Sequence, residues 1–209
     1  MPPGGALHMR LDGGHVALDF VNTVGGLRDA PPDPDDDALE TYADLVGFSE
    51  RVGVLTSAQA RALLKAGDAD ERKAGKVLRN ALELRQLVYD VFRPLATDEP
   101  PASGALEALR DAEREALLKA RLEAAQGGVI RWSWAHAREL EAPLWPLTHA
   151  AVELLTSGPL RRLKVCANCR WLFLDRSRNG SRRWCSMESC GTAIKKIHFV
   201  ERRRARRRG

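Results

Sequence analysis

The sequence predicts a mainly α-helical protein: a multi-helical body with one or two short strands, then a small treble-clef-like C-terminal module of β-hairpin and basic helix. Three observations predict it. In the body, apolar residues recur at three and four positions over long stretches, as in helices that bury one face. Only one stretch, 129–134, alternates apolar with polar residues in the manner of a strand. All four cysteines of the 209 residues fall in the last quarter, as Cys166-x2-Cys169 and Cys185-x4-Cys190.

Residues 1–11 are rich in Pro and Gly and read as a flexible arm before a body spanning 12–157. Leu18-Asp19-Phe20-Val21-Asn22-Thr23, bounded by glycines, is too short for its period to separate strand from helix. Residues 28–37 carry Pro and Asp and read as an exposed loop. Leu39, Tyr42, Leu45, Val46 and Phe48 predict a helix that ends near Gly53. Thr56-x-x-Gln59 is a capping box and predicts a helix to about Ala66. Val77, Leu78, Ala81, Leu84, Val88 and Val91 mark the longest helix, over 69–97, ended by Pro94. Residues 105–126 predict a second long helix with Leu106, Leu109, Leu117 and Leu122, stopped by Gly127-Gly128. Leu140 to Thr156 returns to helix, kinked or restarted at Pro143 and Pro146. Ser157-Gly158-Pro159 separates the body from the module at 160–209.

The net charge of +5 conceals an asymmetry. Residues 160–209 hold sixteen Lys/Arg against Asp175, Glu188 and Glu201, a balance of +13. The other 159 residues hold seventeen Lys/Arg and twenty-five Asp/Glu, a balance of −8. Affinity for a polyanion comes from local Lys/Arg that neutralise phosphates and release counterions. The module can do this; the acidic body cannot.

Two close cysteine pairs supply the four thiolates of a tetrahedral zinc site. Two disulfides are the alternative. The chain opens without the apolar segment of a signal peptide, so a reducing cytoplasm is the expected compartment, which favours metal over disulfides. No run approaches a membrane span. Cys166-Ala167-Asn168-Cys169 reads as a knuckle, Trp171 to Leu174 as a strand, Asn179-Gly180 as a turn and Arg182 to Cys185 as the returning strand. Ser186 suits the N-cap of a helix that carries Cys190 and runs through the tail. On that helix Ala193, Ile194, Ile197 and Val200 form the packing stripe, while Lys195, Lys196, Arg202, Arg203 and Arg206 face outward. Arg170, Arg176, Arg178, Arg182 and Arg183 border the hairpin. Together these ten basic side chains form the candidate nucleic-acid surface. Trp171, Phe173 and Trp184 suit either stacking on bases or packing around the metal.

Catalysis has little support. His8, His15, His136, His149 and His198 are scattered, no Gly-rich phosphate loop is present, and four sulfur ligands leave zinc no open position for water. Asp19, Asn22 and Thr23 suit a polar ligand site or a local backbone cap. Trp132, Trp134 and Trp145 suit an effector pocket or core packing.

Cys166-x2-Cys169, then Trp184-Cys185-Ser186-Met187-Glu188-Ser189-Cys190-Gly191 and a basic helix, resembles the CGNR zinc finger of bacterial proteins. Leu18 to Thr23 resembles the opening motif of the ABATE domain that accompanies it. The pair covers nearly the whole chain. The resemblance implies a stress-induced transcription regulator with a helical body for sensing or dimerisation. It also implies one structural zinc on Cys166, Cys169, Cys185 and Cys190, and a finger that binds DNA. One departure is plain: where the family has Cys-Gly-Asn-Arg, this chain has Cys190-Gly191-Thr192-Ala193. That departure leaves a second reading, a zinc-finger protein that docks RNA or a protein partner without reading DNA sequence. A homodimer is compatible with either.

Overall fold

The computed structural model describes residues 5–124, 126–135 and 137–196. The body contains α1 (Gly5–His8), α2 (Val16–Val21), α3 (Tyr42–Arg51), α4 (Ser57–Ala69), α5 (Glu71–Leu95), α6 (Ser103–Leu118) and α7 (Leu144–Ser157). Between α6 and α7 lies an antiparallel ribbon of β1 (Arg121–Ala124) and β2 (Ile130–Ser133). After α7 come β3 (Leu163–Val165) and β4 (Leu172–Leu174), also antiparallel. A π-helical turn, Met187–Gly191, then leads into α-helix over 192–196.

Local chemistry explains the helix starts. Thr56 and Gln59 close the expected capping box on α4, and Thr41 with Asp44 forms a second one on α3. Each box satisfies two backbone donors that a helix N-terminus leaves free. The α5 stripe is buried at Val77, Ala81, Leu84, Val88 and Val91, and Pro94 lies in its last turn. Phe20, Phe48 and Phe92 are fully buried among α2, α3 and α5. Each such side chain contributes roughly 1.5–3 kcal/mol of transfer free energy.

The segment 18–23 is resolved as helix α2 followed by a turn. His15 caps it, accepting from Ala17 N through Nδ1 at 3.3 Å. Asp19 reaches back to accept from Gly13 N at 2.8 Å. Gly13 must be glycine for this: a Cβ there would stand 2.9 Å from the Asp19 nitrogen.

Four expectations need correction. The N-terminal arm is packed from residue 5: Ala6 is fully buried, and its carbonyl accepts from Arg51 at 3.0 Å. The helix expected to reach residue 126 ends at Leu118, and Leu122 belongs to β1. Leu122 suits either period, and pairing with Trp132 decides. Arg182 to Cys185 is not a strand. The partner of β4 is β3, which precedes the knuckle, and Arg183 contributes one bond to that region by accepting from Ala167 N at 2.9 Å. Finally, β3 and β4 are not appended to the body. Leu163, Val165, Leu172 and Leu174 are members of the same hydrophobic core as Phe20 and Val88.

Candidate metal centre and basic surface

Three pieces of chain bring the cysteines together. The knuckle between β3 and β4 supplies Cys166 and Cys169, with Asn168 N directed at Cys166 Sγ at 3.5 Å. The loop after Gly180 supplies Cys185. The π turn supplies Cys190, and Ser186 caps that turn by accepting from the amides of Glu188 and Ser189. All four sulfurs lie within 4.8 Å of one another, with Cys169 to Cys185 and Cys185 to Cys190 both 3.7 Å. Four ligands about 2.3 Å from a central zinc stand about 3.8 Å apart along the edges of a tetrahedron. The spacing therefore suits a single ion. None of the cysteines is in a disulfide.

The donor set asks for a cation as well. Hydrogen bonding among the sulfurs holds the Cys166 thiol down and pushes Cys169 and, more strongly, Cys185 up. Ionising the whole cluster requires a positive charge at its centre. Cys166 and Cys185 are buried; Cys169 and Cys190 are half-buried and border a cleft of about 320 Å³ with Met9, Arg10 and Trp171.

The body grips this centre directly. Asn22 donates through Nδ2 to Leu172 O at 2.8 Å and accepts at Oδ1 from Leu172 N at 2.9 Å. Its amide thus acts as a strand partner for β4. Trp171 Nε1 donates to Val24 O at 3.1 Å, Arg170 N to Gly26 O at 3.2 Å, and Leu174 N to Gly13 O at 2.9 Å. Arg28 donates to the carbonyl of Cys166 at 2.9 Å. Thr23 accepts from Arg85, which also pairs with both oxygens of Asp37 at 2.7 and 2.6 Å. Of Asp19, Asn22 and Thr23, then, Asn22 spans body and module, while the other two brace the segment that carries it.

Lys164 and Asp175 organise the loop between β4 and Cys185, a role that nothing in the sequence pattern announces. Asp175 accepts from Lys164 Nζ at 2.7 Å, Ser177 N at 2.9 Å, Ser177 Oγ at 2.6 Å and Arg182 N at 2.9 Å. Burial opposes its ionisation. Those donors outweigh the burial and hold the carboxyl well below the usual carboxylate range. Lys164 donates also to the carbonyls of Gly180 and Arg182. Gly180 sits at φ 60° in the expected Asn-Gly turn.

The candidate basic surface divides. Arg170 is only 3% exposed, its guanidinium 4.2 Å from the Tyr89 ring centroid. Arg182 lies over Phe173 and donates to the carbonyls of Trp184 and Cys185. These two side chains point into the fold. Arg176 is exposed but donates to Gly14 O. Arg178, Arg183, Lys195 and Lys196 are exposed. Arg202, Arg203 and Arg206, with Ile197 and Val200 of the packing stripe, lie outside the described residues. Among the aromatic residues, Phe173 is fully buried, Trp171 is tied to Val24, and Trp184 lies beneath Arg183. Trp134 is core, donating to Ala116 O at 2.8 Å; Trp145 sits under Lys119, and Trp132 is exposed on β2.

A helical body clasping four clustered cysteines defines a zinc-finger protein. Family comparison is consistent with this: residues 14–158 match the ABATE model, described as a putative stress-induced transcription regulator, and residues 162–207 match the CGNR zinc finger. The chain belongs to the ABATE family, with the finger that its four cysteines form. None of the curated proteins matches it. The cysteines are positioned to hold one metal ion, and an all-sulfur tetrahedral set suits a structural Zn2+. When bound, such an ion supplies folding free energy, on the order of 10–16 kcal/mol in small zinc modules. No helix among the described residues is long and apolar enough to cross a membrane.

Proposed function

We propose that this chain is a DNA-binding transcription regulator in which the metal centre presents a basic helix and loop to the phosphate backbone. The helical body serves as sensor or dimerisation domain. The observation that carries the reading is the charge division: a module of balance +13 held on a body of balance −8. The acidic body is repelled by DNA, so the module sets the face of approach. Arg178, Arg183, Lys195 and Lys196 supply phosphate contacts, joined by Arg202, Arg203 and Arg206 further along the tail. Arg182 contributes indirectly, by bonding the carbonyls of Trp184 and Cys185 in the metal loop, and Arg170 by fixing the knuckle against Tyr89 and Gly26 of the body.

Anisotropy titration of labelled duplex DNA across a salt series tests this. The full chain gives a steep negative slope of log affinity on log salt. Lys195→Ala with Lys196→Ala lowers the magnitude of that slope by about 2, one for each phosphate left without its lysine. An unchanged slope refutes the assignment of those lysines.

A second reading is favoured by one observation. Thr192 stands where the family has asparagine, and its hydroxyl donates to Met187 O at 2.9 Å. Ala193 has no donor to offer. Two positions available for base reading are thus occupied otherwise, which suits an interaction protein docking RNA or a protein. Selection from a random DNA pool separates the readings: a sequence reader enriches a motif, and an interaction module does not.

A further inference from the structure

The β1–β2 ribbon leaves most of its apolar side uncovered, with Trp132 meeting the His149 ring of α7 edge-on at 6.4 Å. Antiparallel pairing puts Leu122 opposite Trp132 and Ala124 opposite Ile130 on one face; Arg121 opposite Ser133 and Glu123 opposite Arg131 share the other. Leu122 is 60% exposed, Ile130 60% and Trp132 41%. With Leu118 and Val129, this ribbon and its neck hold five of the ten large apolar side chains exposed among the described residues, so the exposure is a patch and not scatter. No backbone hydrogen bond among the described residues joins the outer edge of β1 to the rest of the chain. A short, open, apolar strand edge is a template for another strand.

We propose that β1 pairs with β1 of a second copy of this chain, antiparallel about a twofold axis at Leu122, to make a four-stranded sheet. Charge selects this occupant and this register. Centred on Leu122, Arg121 of each copy faces Glu123 of the other, and Leu122 faces Leu122. Each Glu123 then lies between Arg131 of its own ribbon and Arg121 of the second copy. Centred on Glu123, the pairing would set carboxylate against carboxylate, and like charges directly opposite destabilise a ladder. The outer edge of β2 has no equivalent. Centred on Arg131 it opposes two guanidinium groups, and centred on Trp132 it gains no ion pair. The Leu122 register also joins the two apolar faces into one row, Trp132–Leu122–Leu122–Trp132. The pairing does not depend on nucleic acid and stands whether or not the DNA-binding reading holds.

Sedimentation of the full-length, metal-loaded protein without DNA provides the test. The wild type is a dimer that dissociates on dilution. Arg121→Glu sets carboxylate against carboxylate at both ends of the new strand pair, and Glu123→Arg sets guanidinium against guanidinium; each weakens the dimer roughly tenfold or more. An equimolar mixture of the two variants restores the dimer, because the mixed pair again sets opposite charges against each other. Arg121→Glu is the cleaner variant, since Arg121 faces only Ser133 within its own ribbon. Circular dichroism of both variants matches the wild type. A wild type monomeric at all concentrations overturns the proposal. Variants that dimerise as the wild type does, or a mixture that stays monomeric, overturn it equally.

Discussion

Asp19 carries the sharpest consequence of burial on a single side chain. It is enclosed beside Gly13, and burial pushes its carboxyl up from 3.8 to about 6, reinforced by Asp12 and offset by the Gly13 amide, Arg51 and Arg176. A folded-state value above the unfolded one means that the folded protein binds the proton more tightly. Stability from this group is therefore present below about pH 3.8 and is lost as pH rises through about 6. Asp19→Asn keeps an oxygen for Gly13 N and removes the titration. Relative to wild type, the variant gains stability between pH 4 and pH 7.5, by on the order of 2–3 kcal/mol. Urea unfolding at both pH values measures it, and a difference that does not change with pH would contradict the burial argument.

Elements meet where single residues allow it, and the contact between α2 and β4 depends on Asn22. Its amide satisfies both the N–H and the C=O of Leu172, inside a fully buried environment. Asn22→Ala leaves two buried backbone groups unpaired, at about 1–3 kcal/mol each. A total loss of about 2–6 kcal/mol in denaturant unfolding is expected, with the metal still bound in proportion to folded protein. A cost under about 0.5 kcal/mol, the range of ordinary surface changes, would mean that Asn22 is not a clamp. The same contrast explains what was legible in the sequence. The helices α4, α5 and α7 were, because caps, proline positions and a 3.6-residue period are local. The four cysteines were, because metal ligation fixes residue type and spacing together. The role of Asn22 was not: its partner lies 150 positions away, and an asparagine that mimics a strand reads locally as a cap. Nor was β3 legible, three residues long and defined only by the strand it meets across the knuckle.

For the whole molecule, the contacts of residues 13–28 with the finger decide how metal loss is felt. An independent finger, as the Ser157-Gly158-Pro159 boundary suggested, would unfold after Leu160 and leave the helical body intact. The structure argues otherwise, because Leu163, Val165, Leu172 and Leu174 complete the body's core, and residues 13, 22, 24 and 26 hydrogen-bond to the segment 170–174. A chelator reaches the ligands through the cleft that Cys169, Cys185 and Cys190 border. Removing the ion then withdraws folding free energy from a unit that includes α2 and part of the core. The expected result is one cooperative transition, with the α-helical signal and tryptophan fluorescence shifting together to lower denaturant when metal is removed. A helical signal that stays at its metal-loaded midpoint after the metal is removed would restore the independent finger. Coincident shifts would mean that the metal centre governs the stability of the helical body as well as the posture of the basic helix. Metal occupancy would then couple the two ends of the chain through Asn22 and its neighbours.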